Sequence, residues 1–205
     1  MPPPPPSPQH KAQATLIQPP LPTPHWGPQT GSAFTVRANI TINATADAIL
    51  DALLNTADYP RWNSFVPRVT ISTAGNDKSR LAQGVTFTEH VDMFRNGRPS
   101  GMIRMKLVMT TLQDHHQSQD DAGAHARGER YTVVWLGRAL PDWALRSERV
   151  HRIMVDEGGG GVTYDVYETF SGVLAGVTRL VVGRALVERF AQWNEELKGY
   201  VEGRR

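Results

Sequence analysis

Three ionisable side chains stand in rows of apolar residues, where a charge is costly. In "GVTFTEHVDMF" (84 to 94), Val85, Phe87, Val91 and Met93 share one strand face, and Glu89 has the same parity. In "GVTYDVYETFSG" (161 to 172), Glu168 keeps company with Val162, Tyr164, Val166 and Phe170. In "WALRSERVHRIMVD" (143 to 156), His151 alternates in step with Leu145, Ile153 and Val155. A carboxyl taken out of water has a raised pKa, and an imidazole titrates near neutrality, so all three are candidates for moving protons. Each also has a structural alternative. Glu89 would reach solvent or an arginine at a bulge or sheet edge, Glu168 would pair with Arg149 or Arg152, and His151 would be a hydrogen-bonded core residue.

Around these stand side chains suited to an apolar ligand or to ordinary core. Ile103, Met105, Leu107 and Met109 form one row, and methionines adapt to irregular shapes. Tyr131 and Trp135 share a face with Val133, Phe87 lies beside Glu89, and Phe190 and Trp193 sit on a helical stripe. The segment "DYPRWNSFVPRV" (58 to 69) adds Trp62 and Phe65, held between Pro60 and Pro67. The candidate lining is therefore Trp62, Phe65, Phe87, Met105, Met109, Tyr131, Trp135, Phe190 and Trp193, and Asn63 is placed to bond backbone at the corner.

Other chemistries lack their residues. The run "DHHQSQDDAGAH" (114 to 125) has no spacing that fixes two metal ligands on one helix or strand, so it reads as a solvated loop, with no metal expected. "GGGG" (158 to 161) lacks the lysine and hydroxyl of a phosphate loop and reads as a hairpin turn. There is no cysteine, no G-x-S-x-G elbow, no H-E-x-x-H pair and no dinucleotide fingerprint, so no cofactor is expected.

The elements that must position these residues follow from periodicity. "FTVRANITIN" (34 to 43) alternates as a half-buried strand, and "TADAILDALLN" follows as a short helix capped by Thr45, continued after a break by the aromatic segment. Strands are then expected at 68–73, 84–94, 101–113, 129–137, 143–156 and 161–172, separated by turn residues, which implies an antiparallel meander. From about Leu174 to Val201 one long helix carries Leu186, Phe190, Trp193, Leu197 and Val201 on one face, to cover the sheet. The class is α+β.

The first 30 residues hold 11 of the 15 prolines and one charged side chain, Lys11, so residues 1–32 are expected to be a proline-rich disordered tail before one domain at 33–203. A protein partner for that tail is conceivable on composition alone. The 22 basic and 20 acidic residues leave a net charge of +2 without a basic stripe, which argues against nucleic acid as a partner. No secretory pattern opens the chain, and the most apolar window, 172–187, is interrupted by Arg179 and Arg184. It reads as a buried helix in a cytoplasmic protein without integral membrane association.

The order of elements, with "ITINATADAILDALLNTADYPRWNSFVPRV" and "VHRIMVDEGGGGVTYDVYETFSGVLAG", resembles the START-like (SRPBCC) superfamily, which includes polyketide cyclases and lipid or hormone carriers. The resemblance spans residues 34 to 201 and implies a helix-grip fold: a curved antiparallel sheet of about seven strands around the C-terminal helix, with two short helices after the first strand and a hydrophobic cavity inside. It places the aromatic segment across one end of that cavity. The leading expectation is a binder of a hydrophobic or aromatic small molecule, lipid-like or polyketide-like. The alternatives are a cofactor-independent cyclase or dehydratase using Glu89, His151 or Glu168, and a co-chaperone or assembly partner that docks through the tail.

Overall fold

A computed structural model of the chain describes residues 11–72, 78–94, 102–115, 128–156 and 161–203. Among these residues, eight strands form one antiparallel sheet: β1 (Gln13–Ile17), β2 (Phe34–Ile42), β3 (Arg68–Ile71), β4 (Thr86–Val91), β5 (Ile103–Asp114), β6 (Glu129–Gly137), β7 (Arg146–Val155) and β8 (Val162–Ser171). Their spatial order is β1-β2-β8-β7-β6-β5-β4-β3, so the first long strand closes against the last while β3 to β8 run as a meander. Helices α1 (Ala46–Leu54) and α2 (Tyr59–Trp62) follow β2, and α3 (Ala175–Val201) packs across β1, β2 and β8.

Local rules explain the elements that frame the interior. Thr45 caps α1 by accepting from Ala48 N at 3.2 Å. Pro60 occupies the first turn of α2, where its missing N–H costs nothing. The corner after α2 is held by Val66 N, which donates to Asn63 Oδ1 at 2.7 Å. In β5 the pairing with β6 slips between Met109 and Thr111, so that Met109 faces Trp135 and Leu112 faces Val133. That bulge lets the adjacent pair Thr110 and Thr111 pass without turning the apolar row outward.

Two expectations are corrected. The sheet has eight strands, and the additional one, β1, comes from the segment assigned to the tail. Residues 12–18 contain no proline, so their N–H groups are available, and Gln13 to Ile17 pair with Asn39 to Thr35. The proline-rich stretch beyond β1 then crosses the outer face of the sheet. Leu21 packs on Val134, Val150 and Tyr167. Its N–H donates to Thr35 Oγ1 at 2.9 Å and its carbonyl accepts from Thr169 Oγ1 at 3.1 Å. Pro22 accepts from the Tyr167 hydroxyl, and His25 Nδ1 lies 2.7 Å from the buried Glu148 carboxylate. A proline lacks a donor but keeps its carbonyl, so such a chain can still bind a polar outer face. Residues 1–10, 73–77, 95–101 and 157–160 lie outside the described residues, and with them most of the hairpin turn expected at 158–161.

The second correction concerns the apolar window 172–187, expected to be buried. On α3, Val177, Leu180 and Val181 are 58%, 87% and 66% exposed. Burial resumes at Gly183 and Leu186 and continues through Phe190, Trp193 and Leu197. Among the described residues no helix is long and apolar enough to cross a membrane.

Candidate functional site

The inward positions of the strands and the facing stripe of α3 enclose an interior that is filled at one end and hollow at the other. At the filled end Tyr59, Trp62 and Trp193 meet edge to face, with ring centroids 5.1 to 5.9 Å apart, and Trp62 stacks on Tyr200. Trp193 Nε1 donates to the Tyr164 hydroxyl at 3.0 Å, and that hydroxyl lies 2.7 Å from His151 Nδ1. Burial, reinforced by the nearby Arg149 charge, holds the His151 pKa well below the ordinary imidazole value, so His151 is neutral. Burial likewise pushes the Tyr59 and Tyr164 hydroxyls well above the usual phenol range.

At the hollow end a cavity of about 370 Å³ lies between the sheet and the first half of α3. The sheet contributes Val91, Ile103, Met105, Arg149, Glu168 and Phe170. The helix contributes Val177, Thr178, Val181, Val182 and Leu186, while Phe65, Met93, Leu140, Leu145 and Leu174 come from connecting segments. Its volume is within the range of small-molecule sites, and its wall is apolar except at few points.

The charged part of that wall is set by strand register. Arg149 of β7 pairs directly with Glu168 of β8, which brings Arg149 Nε to 2.9 Å from Glu168 Oε2. Arg149 Nη1 donates to both oxygens of Glu89 on β4, at 3.2 and 3.3 Å. All three side chains are buried. Burial raises the Glu89 pKa above the ordinary carboxylate value, against the pull of Arg149. Desolvation opposes the Arg149 charge, but Glu168 and Glu89 together hold its pKa above the ordinary guanidinium value. Three rings, those of Phe190, Trp135 and Trp193, have centroids 5.5 to 5.9 Å from the guanidinium carbon.

The residues singled out in the sequence therefore divide. Phe65, Met105 and Glu168 line the cavity. Glu89 meets it through Arg149, and His151 sits at the filled end. Trp62, Phe87, Met109 and Trp135 are packed core, with Phe87 edge-on to Trp135. The Tyr131 hydroxyl donates to Asp47 in the first turn of α1. Phe190 and Trp193 border a second void with Phe65, Arg149 and Val166 that has no room for a water molecule. Arg149 emerged in the sequence only as one of two partners for Glu168. Parity decides between them, because Arg149 shares the face of His151, whereas Arg152 points to the other face and approaches Glu129 at 3.6 Å. From residue 116 to 127 the histidine and aspartate run lies outside the described residues, and among those described no cluster of three or more metal-ligating side chains occurs.

Comparison with known proteins extends the geometry. No family model matches the chain. A protein of Penicillium oxalicum named oxopyrrolidines biosynthesis cluster protein O is 24% identical over 188 residues, which cover 87% of this chain and 91% of that one. A START superfamily protein from Mycobacterium smegmatis superposes with a TM-score of 0.56 at 16% identity, over 82% of this chain and 97% of the other. The Zhui aromatase/cyclase of Streptomyces sp. R1128 gives a TM-score of 0.55 at 16% identity, over 84% and 95% of the two chains. With the strand order, the gripped helix and the cavity beside it, these likenesses establish that the chain has the START-like, SRPBCC-type helix-grip fold.

Proposed function

We propose that the protein binds a hydrophobic or aromatic small molecule, lipid-like or polyketide-like, in the cavity under the first half of α3. The observation that carries this reading is the 370 Å³ cavity with an almost wholly apolar wall. Filling such a space removes apolar surface of both protein and ligand from water, at about 25 cal/mol per Å². The names of the Penicillium relative, from a biosynthesis cluster, and of the Streptomyces aromatase/cyclase support a ligand drawn from specialised metabolism.

The test is recovery of a bound molecule. The protein is equilibrated with a lipid and polyketide extract, re-isolated, and its bound molecules are identified by mass spectrometry after denaturation. Wild type is expected to retain a defined apolar compound, and Met105→Trp, whose indole occupies the cavity, is expected to retain none. Equal recovery by both proteins, or recovery by neither, would remove the reading.

A second reading, a cofactor-independent cyclase or dehydratase, is favoured by one observation: Glu168 is a carboxylate in the cavity wall. There it can exchange a proton with a bound polyketone while the apolar wall folds the chain. Glu89 and His151 are proposed for that chemistry only indirectly, through Arg149 and Tyr164. An unchanged product profile after Glu168→Gln would discard this role.

A further inference from the structure

The polar part of the cavity wall is specific in what it leaves open. Arg149 spends Nε on Glu168 Oε2 and Nη1 on Glu89. Nη2 of Arg149 and Oε1 of Glu168 make no hydrogen bond within the described residues, yet neither atom is sealed inside the protein. The remaining exposure of the two side chains, 7% and 3%, belongs to residues of the cavity wall. A donor on one neighbouring side chain and an acceptor on the other thus stand without partners in an otherwise apolar space.

We propose that Arg149 and Glu168 read the head of the bound molecule, and that this head is a neutral group with a carbonyl acceptor beside an N–H or O–H donor, as in an amide, a lactam or an enolised dicarbonyl. The inference rests on the cavity being a ligand site and adds what the ligand must carry. The carbonyl accepts from Arg149 Nη2, and the adjacent donor gives its hydrogen to Glu168 Oε1. Other heads fit worse for electrostatic reasons. A carboxylate would meet a guanidinium already paired with two carboxylates and would lie against Glu168. An ammonium would meet the guanidinium N–H groups. A hydrocarbon end would leave a buried donor and acceptor unpaired, a loss of about tenfold or more in affinity.

Matched probes on the whole chain test this without altering the protein. Octanamide carries both groups, N,N-dimethyloctanamide keeps the chain and the acceptor but has no donor, and octanoate replaces the donor with charge. By titration calorimetry octanamide is expected to bind about tenfold or more tightly than either of the others. Binding of all three with equal affinity overturns the head-group assignment and leaves the cavity reading standing. Binding of none removes both. Glu168→Gln, which keeps the shape but removes the charge, is expected to shrink the preference for octanamide over octanoate. An undiminished preference in that variant would show that Glu168 does not set it.

Discussion

The filled end of the interior, around Trp193, and the hollow end, around Arg149, lie on the same face of one sheet and under the same helix. What separates them is the size of the residues along the inward stripe of α3. Toward the C-terminus the stripe carries Leu186, Phe190, Trp193 and Leu197, all buried. Toward the N-terminus it carries Thr178 and Val182, and these smaller side chains stop short of Phe170, Arg149 and Met105 across the gap. Interiors are close-packed unless a hole is built, so the cavity is a consequence of small residues set opposite a curved sheet. The polar chemistry divides likewise, with a neutral His151 at the filled end and an ion cluster at the hollow one.

The largest effect expected from breaking this contrast is at the filled end. Trp193→Ala removes a ring that touches Tyr59, Trp62, Trp135 and His151 and deletes the donor to Tyr164. It should cost about 3–5 kcal/mol of stability, measured by urea unfolding. Val182→Ala, in the cavity wall, enlarges an existing space and should cost roughly 1 kcal/mol. Comparable costs at both positions would mean that the hollow end is packed as tightly as the other.

The two ends should also respond to pH with opposite sign. His151 has a folded pKa well below its ordinary value, so below about pH 6.5 the unfolded chain takes a proton that the folded one refuses. That contribution to stability is lost as pH falls, by up to about 1.4 kcal/mol per pH unit. Glu89 has a folded pKa above its ordinary value, so the folded chain holds a proton that the unfolded one has released. Its contribution is present at low pH and is lost as pH rises from the ordinary carboxylate value through the raised one. Unfolding curves across pH 4 to 8 should therefore lose their acid-side decline in His151→Phe and their opposing slope in Glu89→Gln. Parallel pH profiles for both variants and wild type would show that neither group is held as the geometry requires.

Much of this organisation was legible in the sequence, for definite reasons. Alternation placed β2, β4 to β8 and the residues that share each strand face, without saying which face is inner, and the spacing of Leu186, Phe190, Trp193 and Leu197 placed the gripping face of α3. Parity alone put Glu89, His151 and Glu168 in apolar rows, and it left Arg149 as one of two partners for Glu168. It could not say at which end of the interior a residue lies, because Trp135 and Met105 obey the same alternation. Only the size of the residue opposite, on a distant element, makes one of them core and the other cavity wall. The strand β1 was hidden by composition: prolines on both sides of residues 12–18 outweighed the five residues that pair.

The smallest expected effect tests the edge of the contrast, where the apolar window of α3 is open to solvent. By composition Leu180 belongs to the most apolar stretch of the chain and would be expected in the core, yet it is 87% exposed, while Leu186 is buried. Leu180→Ser removes a side chain that buries almost nothing, so it should change stability by no more than about 0.5 kcal/mol. Leu186→Ala, in the cavity wall and against the core, should cost about 2–4 kcal/mol. Thermal unfolding of the two variants side by side measures where the helix leaves the sheet. If Leu180→Ser costs as much as Leu186→Ala, the first turns of α3 are covered in solution.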